Sequence, residues 1–543
     1  MPRMTGARAL VKSIMAHGVD TIFGLPGVQM DPFFNALYDE KNGIRVIHSR
    51  HEQGAAYMAF GYAQSTGRVG TYAVVPGPGL LNSTAALATA YGCNAPVLCV
   101  AGQIPSAMIG RDLGMLHEIP DQLAILRGLT KWAARIDHPT EAVDKAAEAF
   151  RQLRSGRPRP VALEMAMDVM AAEADLAEPA AGPTPAPLAP DLDAVEAAAK
   201  LFGAAKKPMI FVGGGIFGAE AELLELAETL QAPVVSWRSG KGAVSDAHYL
   251  SLSQLAAHRL WPEADVVLAV GTRIRQWAAW GADDALKVIR IDVDPTEMSR
   301  PLKPAIAIVA DARLTLAALL PALAKYTGKR VSRRDELTAL KNAALRDYAA
   351  LQPQMSYLEA IRAELPEDGF FVEELTQIGY VARLAFPVYR PRSFVTTGYQ
   401  GTLGFGFASA LGVKVANPDK VVLSVSGDGG FMYNVQELAT AVRHGIGVVA
   451  VVFNDNAFGN VRRMQEDLHG GRVIASDLRN PDFVKLAESF GAMGLRADSP
   501  AALRVALKRA FREPGPVVIE VPMPEAADPW QLTLLPKVRP ARA

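Results

Sequence analysis

Two turns concentrate the residue types that could do chemistry in this 543-residue chain: Gly427-Asp428-Gly429-Gly430 and Asn454-Asp455-Asn456-Ala457. Each ends an apolar run, KVVLSVS (420–426) and GVVAVVF (447–453), that reads as a buried strand. Glycines permit a tight turn and expose backbone amides to an anion. Asp428 and Asp455 are 27 residues apart, room for one crossover helix (435–444) between parallel strands ending at a shared edge. Two carboxylates with carbonyls nearby suit a hard cation such as Mg²⁺ bridging a diphosphate. Ordinary turn aspartates would show the same spacing, so both readings stand at this point.

Two further segments offer chemistry. Arg50-His51-Glu52 leads into an Ala/Gly-rich helix, GAAYMAFGYAQ (54–64). Glu52 is then either a general acid–base group in apolar surroundings or a carboxylate facing a helix N-terminus. Gly213 to Gly218 reads G-x-G-x-x-G after a strand and before a helix, the pattern of a dinucleotide-binding turn. The next strand, however, ends in Trp237-Arg238 and not in an acid for ribose hydroxyls. Glycines needed for close strand–helix packing are the preferred reading.

These groups must be positioned by alternating strands and helices. TYAVV (71–75) and PVLCVAG (96–102) flank a helix at 83–91, and PMIFVGGG (208–215), APVVSW (232–237), DVVLAVG (265–271) and VIRIDVD (288–294) follow the same rhythm. Buried strands alternating with helices predict an α/β fold of three parallel-sheet domains, with ligands beyond the carboxyl ends of the strands. A Pro/Ala-rich stretch, AAEADLAEPAAGPTPAPLAPD (171–191), reads as an extended linker, and YTGKRVSRRD (326–335) as a polar break. The expected domains are 1–170, 191–325 and 355–530, in line with a prior of ~150 residues per domain. No short-period repeat is present.

Lys+Arg and Asp+Glu are both 56, so bulk charge draws in neither nucleic acid nor an anionic membrane. The small basic cluster Lys329, Arg330, Arg333 and Arg334 reads as a solvated linker. Apolar runs such as 448–453 are too short to span a bilayer. Cys93 and Cys99 alone offer no disulfide framework, and Met1 to Arg8 shows no secretory pattern. A cytoplasmic, multidomain enzyme is the expectation.

In order along the chain, these pieces resemble the thiamine diphosphate-dependent decarboxylase and carboligase superfamily, most of all the acetolactate synthase large subunit. The matching motifs are ARALVKSIMAHGVDTIFGLPG (7–27), RHEQGAAYMAFGYAQSTGRVG (50–70), VPGPGLLN (75–82), HEIPDQLAILRGLTKW (117–132), GTLGFGFASALG (401–412), GDGGFMYNVQELATA (427–441) and FNDNAFGNV (453–461). The resemblance implies a pyrimidine-binding, a central Rossmann-like and a diphosphate-binding domain. It makes Asp428, Asp455 and the Ala457 carbonyl magnesium ligands, and has Gly427, Gly429 and Gly430 present amides to the diphosphate. Thr376, Gln377, Phe458 and Gly459 would touch the cofactor, and Leu403 would prop it in a bent shape. Glu52 would hydrogen-bond its aminopyrimidine ring, and His117 could donate a proton. The implied substrates are a small 2-keto acid and a second keto acid or aldehyde. The implied assembly is a homodimer or homotetramer, with Glu52 from one subunit and the diphosphate site from the next.

Three departures bear on specificity. Met464, preceded by Arg462 and Arg463, stands where biosynthetic acetolactate synthases have Trp. Arg273-Ile274-Arg275-Gln276-Trp277 replaces their Arg-Phe-Asp-Asp-Arg, which argues against flavin and against 2-ketobutyrate selectivity. His117-Glu118 replaces Gln-Glu. Simple 2-keto acid decarboxylation and an aldehyde lyase remain alternatives within the superfamily. A dinucleotide-dependent oxidoreductase and a non-catalytic thiamine-binding homologue are the alternatives outside it.

Overall fold

Unbroken apolar runs become strands buried along their length: Gly70–Val74, Val97–Gln103, Val161–Ala166, Met209–Val212 and Val266–Val270 are buried at every position. The computed structural model describes residues 2–328, 330–523 and 525–539, apart from the side chains of Gln276 and Trp277. It arranges the strands in three six-stranded sheets, and every pairing within them is parallel. The chain thus forms the three parallel-sheet α/β units that its patterning predicts.

Across the N-terminal sheet the strands run Arg45–His48, Thr21–Gly24, Gly70–Val74, Val97–Gln103, Val161–Ala166, Trp132–Ile136. Across the C-terminal sheet they run Phe394–Val395, Phe370–Val372, Val422–Gly427, Val449–Asn454, Val517–Pro522, Met493–Arg496. Counted along the chain within each sheet, both orders are 2-1-3-4-6-5. The outer sheets are therefore topological copies, although no repeat is visible in the residues. The central sheet has the doubly wound order 3-2-1-4-5-6.

Helices Glu52–Thr66 and Phe405–Ala416 explain why the Ala/Gly-rich stretches lack an amphipathic stripe. They pack on each other between the outer sheets and are buried nearly all round. A Cβ on Gly61 would lie 2.0 Å from the Ser409 carbonyl, and one on Gly412 1.9 Å from that of Met58. Larger side chains would force the two helices apart.

Two expectations are corrected. The stretch 171–191 is not a free linker throughout, because Glu173–Asp175 pairs antiparallel with Arg3–Thr5 and Leu176 is buried. Edge amides need partners, and the prolines that could not supply them begin only at Pro179. The basic cluster is only partly solvated: Arg334 is exposed, but Arg330 and Arg333 are half-buried. Arg330 donates to the Phe202 carbonyl at 2.6 Å, Arg333 pairs with Glu336, and Arg334 lies over the Tyr249 ring. Lys329 lies outside the described residues.

Candidate active site

The strand Val422–Gly427 ends in a short helical turn, Asp428–Met432, and the neighbouring strand Val449–Asn454 ends at Asp455. Parallel register sets Gly427 against Phe453, so both acids leave one sheet edge side by side. Burial raises both carboxyls, and the Asp428 carboxylate adds to the rise at Asp455. Like charges held together in a dry setting fit a cation, and the donors present are oxygens. The Asn480 amide already serves this cluster, donating to Asp428 Oδ2 at 2.5 Å and Asn454 Oδ1 at 2.9 Å. Among the described residues no three acidic, histidine or cysteine side chains converge, so a metal here would also take carbonyl or ligand oxygens.

The remaining residues of this edge gather around the two acids. The Ala457 amide donates to Asp455 Oδ1 at 3.2 Å, and the Phe458 amide to the Ser476 carbonyl at 2.8 Å. The Phe458 ring lies against Gly429. A Cβ on Gly459 would come 2.4 Å from Asp455 Oδ2, so a larger residue there would displace that carboxylate. Thr376 precedes the helix Gln377–Ala385 beyond the strand Phe370–Val372, and both Thr376 and Gln377 are buried. Leu403 lies half-buried in the loop ahead of Phe405–Ala416, which a Thr402–Thr89 hydroxyl contact of 3.0 Å ties to the N-terminal unit. Thr376 Oγ1 lies 3.5 Å from where a Cβ on Gly427 would stand and Gln377 Nε2 3.2 Å from one on Gly459, so these segments meet the two acid-bearing turns.

The N-terminal sheet builds a different edge. Glu52 opens the helix Glu52–Thr66 as a helix N-terminal carboxylate, and it is buried. The Asn82 amide donates to Glu52 Oε2 at 3.0 Å. Across the same turn, the His117 carbonyl presses on Gly77, and His117 Nδ1 lies 3.1 Å from Gln29 Oε1. His117 sits at φ 65, in the left-handed region that few side chains other than Asn, Asp and His enter. Glu52 and His117 thus flank the segment 75–82. Among the described residues Glu52 makes no hydrogen bond to the Asp428 and Asp455 turns of its own chain.

Residue types alone do not reveal how the edges are supported. Glu437, inside the GDGGFMYNVQELATA stretch, reaches back to the N-terminal unit. Its carboxylate accepts the Arg50 amide at 3.1 Å and the His51 amide at 3.0 Å, directly ahead of Glu52. Asn480 and Glu374 carry no motif signal either, since each lies far in sequence from the turn it touches.

In the central sheet, a Cβ on Gly213 would lie 2.3 Å from the Gly271 carbonyl, and one on Gly215 2.7 Å from Gly271 Cα. Close packing of two neighbouring turns, not of strand on helix, accounts for these glycines. Arg238, where a ribose-binding acid would stand, donates to the Gly398 carbonyl. A cleft of about 550 Å³ beside this turn is lined by Gly215, Phe217, Gly218, Glu222, Asp311 and Arg313, all of the central unit. Arg273 pairs loosely with Glu297 and covers the Tyr399 ring, while the side chains of Gln276 and Trp277 lie outside the described residues. Met464 is 41% exposed, and Arg463 donates to the Ala526 carbonyl at 2.6 Å and to Gln377 Oε1 at 3.4 Å.

Comparison with known proteins gives three family matches. Residues 4–125 match the thiamine pyrophosphate enzyme N-terminal TPP binding domain, 195–319 its central domain, and 376–521 its C-terminal TPP binding domain. A probable acetolactate synthase large subunit of Methanocaldococcus jannaschii is 35% identical, over 95% of this chain and 92% of its own length. A probable 2-ketoarginine decarboxylase AruI of Pseudomonas aeruginosa is also 35% identical, over 95% of this chain and 94% of its own. The acetolactate synthase isozyme 1 large subunit of Escherichia coli is 32% identical over 96% and 94%.

Proposed function

This chain belongs to the thiamine pyrophosphate enzyme family, in the company of the acetolactate synthases, and on that premise we propose that it decarboxylates a small 2-keto acid and joins the remaining carbon unit to a second carbonyl compound. The observation that carries the reading is the pairing of two unlike edges. One holds a buried carboxylate beside an amide; the other holds two repelling carboxylates within a ring of backbone amides. Units 1–170, 191–325 and 355–530 would serve as pyrimidine-binding, central and diphosphate-binding domains.

In this reading Asp428, Asp455 and the Ala457 carbonyl hold Mg²⁺, which relieves the repulsion between the two acids. Gly427, Gly429 and Gly430 offer amides to the diphosphate, and Thr376, Gln377, Phe458 and Gly459 close around it. Leu403 supports the cofactor from the side. Glu52, oriented by Asn82, holds a proton at its carboxyl oxygen against the pyrimidine ring. His117, directed by Gln29, delivers a proton to the substrate oxygen. Bound thiamine diphosphate supplies the electron sink for cleavage next to a carbonyl. The segment Arg273 to Trp277 argues against a flavin in the reaction.

Among the described residues Glu52 makes no hydrogen bond to the diphosphate turns of its own chain, and we read the site as completed by a second copy. A homodimer is the smallest working unit, and a homotetramer is compatible with it. Among the described residues no helix is long and apolar enough to cross a membrane. We place the enzyme in the cytoplasm, without nucleic-acid partners.

The test is incubation with a panel of 2-keto acids, with and without aldehydes, and mass spectrometry of the products. Acetolactate-type products support ligation, whereas aldehyde plus CO₂ alone supports the second reading, a 2-keto acid decarboxylase. That alternative is favoured by the equal identity to the probable 2-ketoarginine decarboxylase and by Met464 at the expected tryptophan position. Products requiring neither thiamine diphosphate nor a 2-keto acid would overturn both.

A further inference from the structure

Glu373 and Glu374 leave the strand Phe370–Val372 together, and both are 0% exposed. Among the described residues only the first forms an ion pair. Arg383 grips Glu373 with Nε at 2.6 Å from Oε2 and Nη2 at 2.8 Å from Oε1. Glu374 Oε1 instead accepts the amide of Gly404, the residue after Leu403. Its Oε2 is buried with no hydrogen-bond partner, and so is the Ser426 hydroxyl.

These two orphans face each other. A Cβ on Gly406 would lie 2.8 Å from Glu374 Oε2 and 3.2 Å from Ser426 Oγ, so both atoms border the same small space. A Cβ on Gly430 would come 2.4 Å from Glu374 Oε1, which puts the carboxyl directly beneath the turn that follows Asp428. The Glu374 carbonyl accepts the Thr376 amide at 2.9 Å, and Asn434 Nδ2 donates to the Gly404 carbonyl at 2.6 Å. One buried acid therefore adjoins three separate segments of the cradle: Thr376-Gln377, Leu403-Gly404 and Gly427–Gly430.

A buried acid without a cation is costly as an anion and inexpensive as a neutral carboxyl. The neutral form also has a use for both of its oxygens. Its carbonyl oxygen accepts from Gly404, and its hydroxyl can donate to Ser426 Oγ. An anion here would stand beneath the position taken by the diphosphate and oppose it. Burial pushes the Glu374 carboxyl up to about 7, in the same direction.

We propose that Glu374 is a positioning residue whose uncharged carboxyl latches the Leu403-Gly404 loop to the Gly427–Gly430 turn and so shapes the diphosphate cradle. The inference rests on the reading that this cradle takes thiamine diphosphate.

The experiment is calorimetric titration of the purified full chain with thiamine diphosphate at fixed Mg²⁺ and pH 7, for wild type, Glu374→Gln, Glu374→Ala and Ser426→Ala. A glutamine offers the same acceptor and donor, so its affinity stays within about threefold of wild type. Alanine leaves the Gly404 amide and the Ser426 hydroxyl unserved, and affinity falls about 30-fold. The KM for the 2-keto acid, measured at saturating cofactor, stays unchanged. Ser426→Ala opens no cavity and loses about fivefold, which keeps the test intact if the alanine variant at 374 fails to fold.

Wild-type affinity in Glu374→Ala or in Ser426→Ala would overturn the latch. So would a Glu374→Gln variant as weak as the alanine, since a charge and not a hydrogen-bond pattern would then be required. No cofactor uptake by wild type would overturn the site assignment itself, and the latch with it.

Discussion

At the carboxyl edge of the N-terminal sheet, the candidate groups are held by side-chain amides: Glu52 by Asn82, His117 by Gln29. At the matching edge of the C-terminal sheet, glycines and backbone amides surround two carboxylates that repel each other. The strand order beneath both is 2-1-3-4-6-5. One scaffold has thus been given two endings. Single carboxyls held by amides suit proton traffic, whereas a glycine turn with paired acids suits an anion and its counter-cation. If that division is correct, substitutions at the first edge act on turnover and those at the second on cofactor affinity.

The largest expected effect tests the first half. Glu52→Gln should lower kcat by about 10²–10⁴-fold at saturating cofactor, the usual worth of a placed acid–base group. Affinity for thiamine diphosphate should change little. Near-normal turnover with weakened binding would reverse the roles of the two edges.

Next in size is a stability effect beneath the second edge. The Glu374 carboxyl is raised from its ordinary value to about 7, so the folded chain holds this proton more tightly than the unfolded chain does. Its contribution is intact in acid and is lost as pH rises toward and through 7. Glu374→Gln removes that loss, stabilising the cofactor-free protein at pH 8 relative to pH 5 by up to about 3 kcal/mol. Denaturant unfolding at the two pH values measures it, and equal slopes for wild type and variant would refute it.

A smaller effect separates the metal side from the latch. Asp455 is pushed up to about 6 by burial and by Asp428, so under the proposed assignment it would have to lose its proton to bind Mg²⁺. Mg²⁺-dependent cofactor affinity should therefore fall about tenfold between pH 7 and pH 5, as expected for one linked proton. Asp455→Asn should flatten that dependence. An unchanged slope would remove Asp455 from the metal site.

Much of this division can be read from residues, and the unread part has a common cause. Buried strands, their order of appearance and the turns at 427–430 and 454–457 follow from short-range rules about apolar runs, glycine and parallel crossovers. The copy relation between the outer sheets does not, because strand order depends on which edges pair and leaves no periodic mark. Glu437, Asn480 and Glu374 were silent for a related reason. Each acts on a segment 24 or more residues away, through a hydrogen bond that composition cannot foretell. The glycines 213 to 218 are legible as packing residues, but their packing partner is not. Their spacing suits a ligand, yet a neighbouring turn at Gly271 already demands Gly213 and Gly215.

Asn82→Ala gives the finest test of the comparison, because it touches orientation without removing an acid. The Asn82 amide is the hydrogen-bond donor that Glu52 Oε2 meets at 3.0 Å, and Gly79 leaves room beside Oε1 for a ligand to approach. Losing one such bond at a partly accessible position is worth about 1 kcal/mol, or roughly a fivefold fall in kcat. The Glu52→Gln background should absorb the effect, since an amide there gains nothing from being aimed at a proton. A double-mutant cycle measures that coupling directly. Full additivity would mean that Asn82 supports the helix Pro78–Cys93 and does not orient Glu52. The first edge would then work by burial alone, and the contrast with the amide-lined cradle of the second would rest on Glu52 and not on its partner.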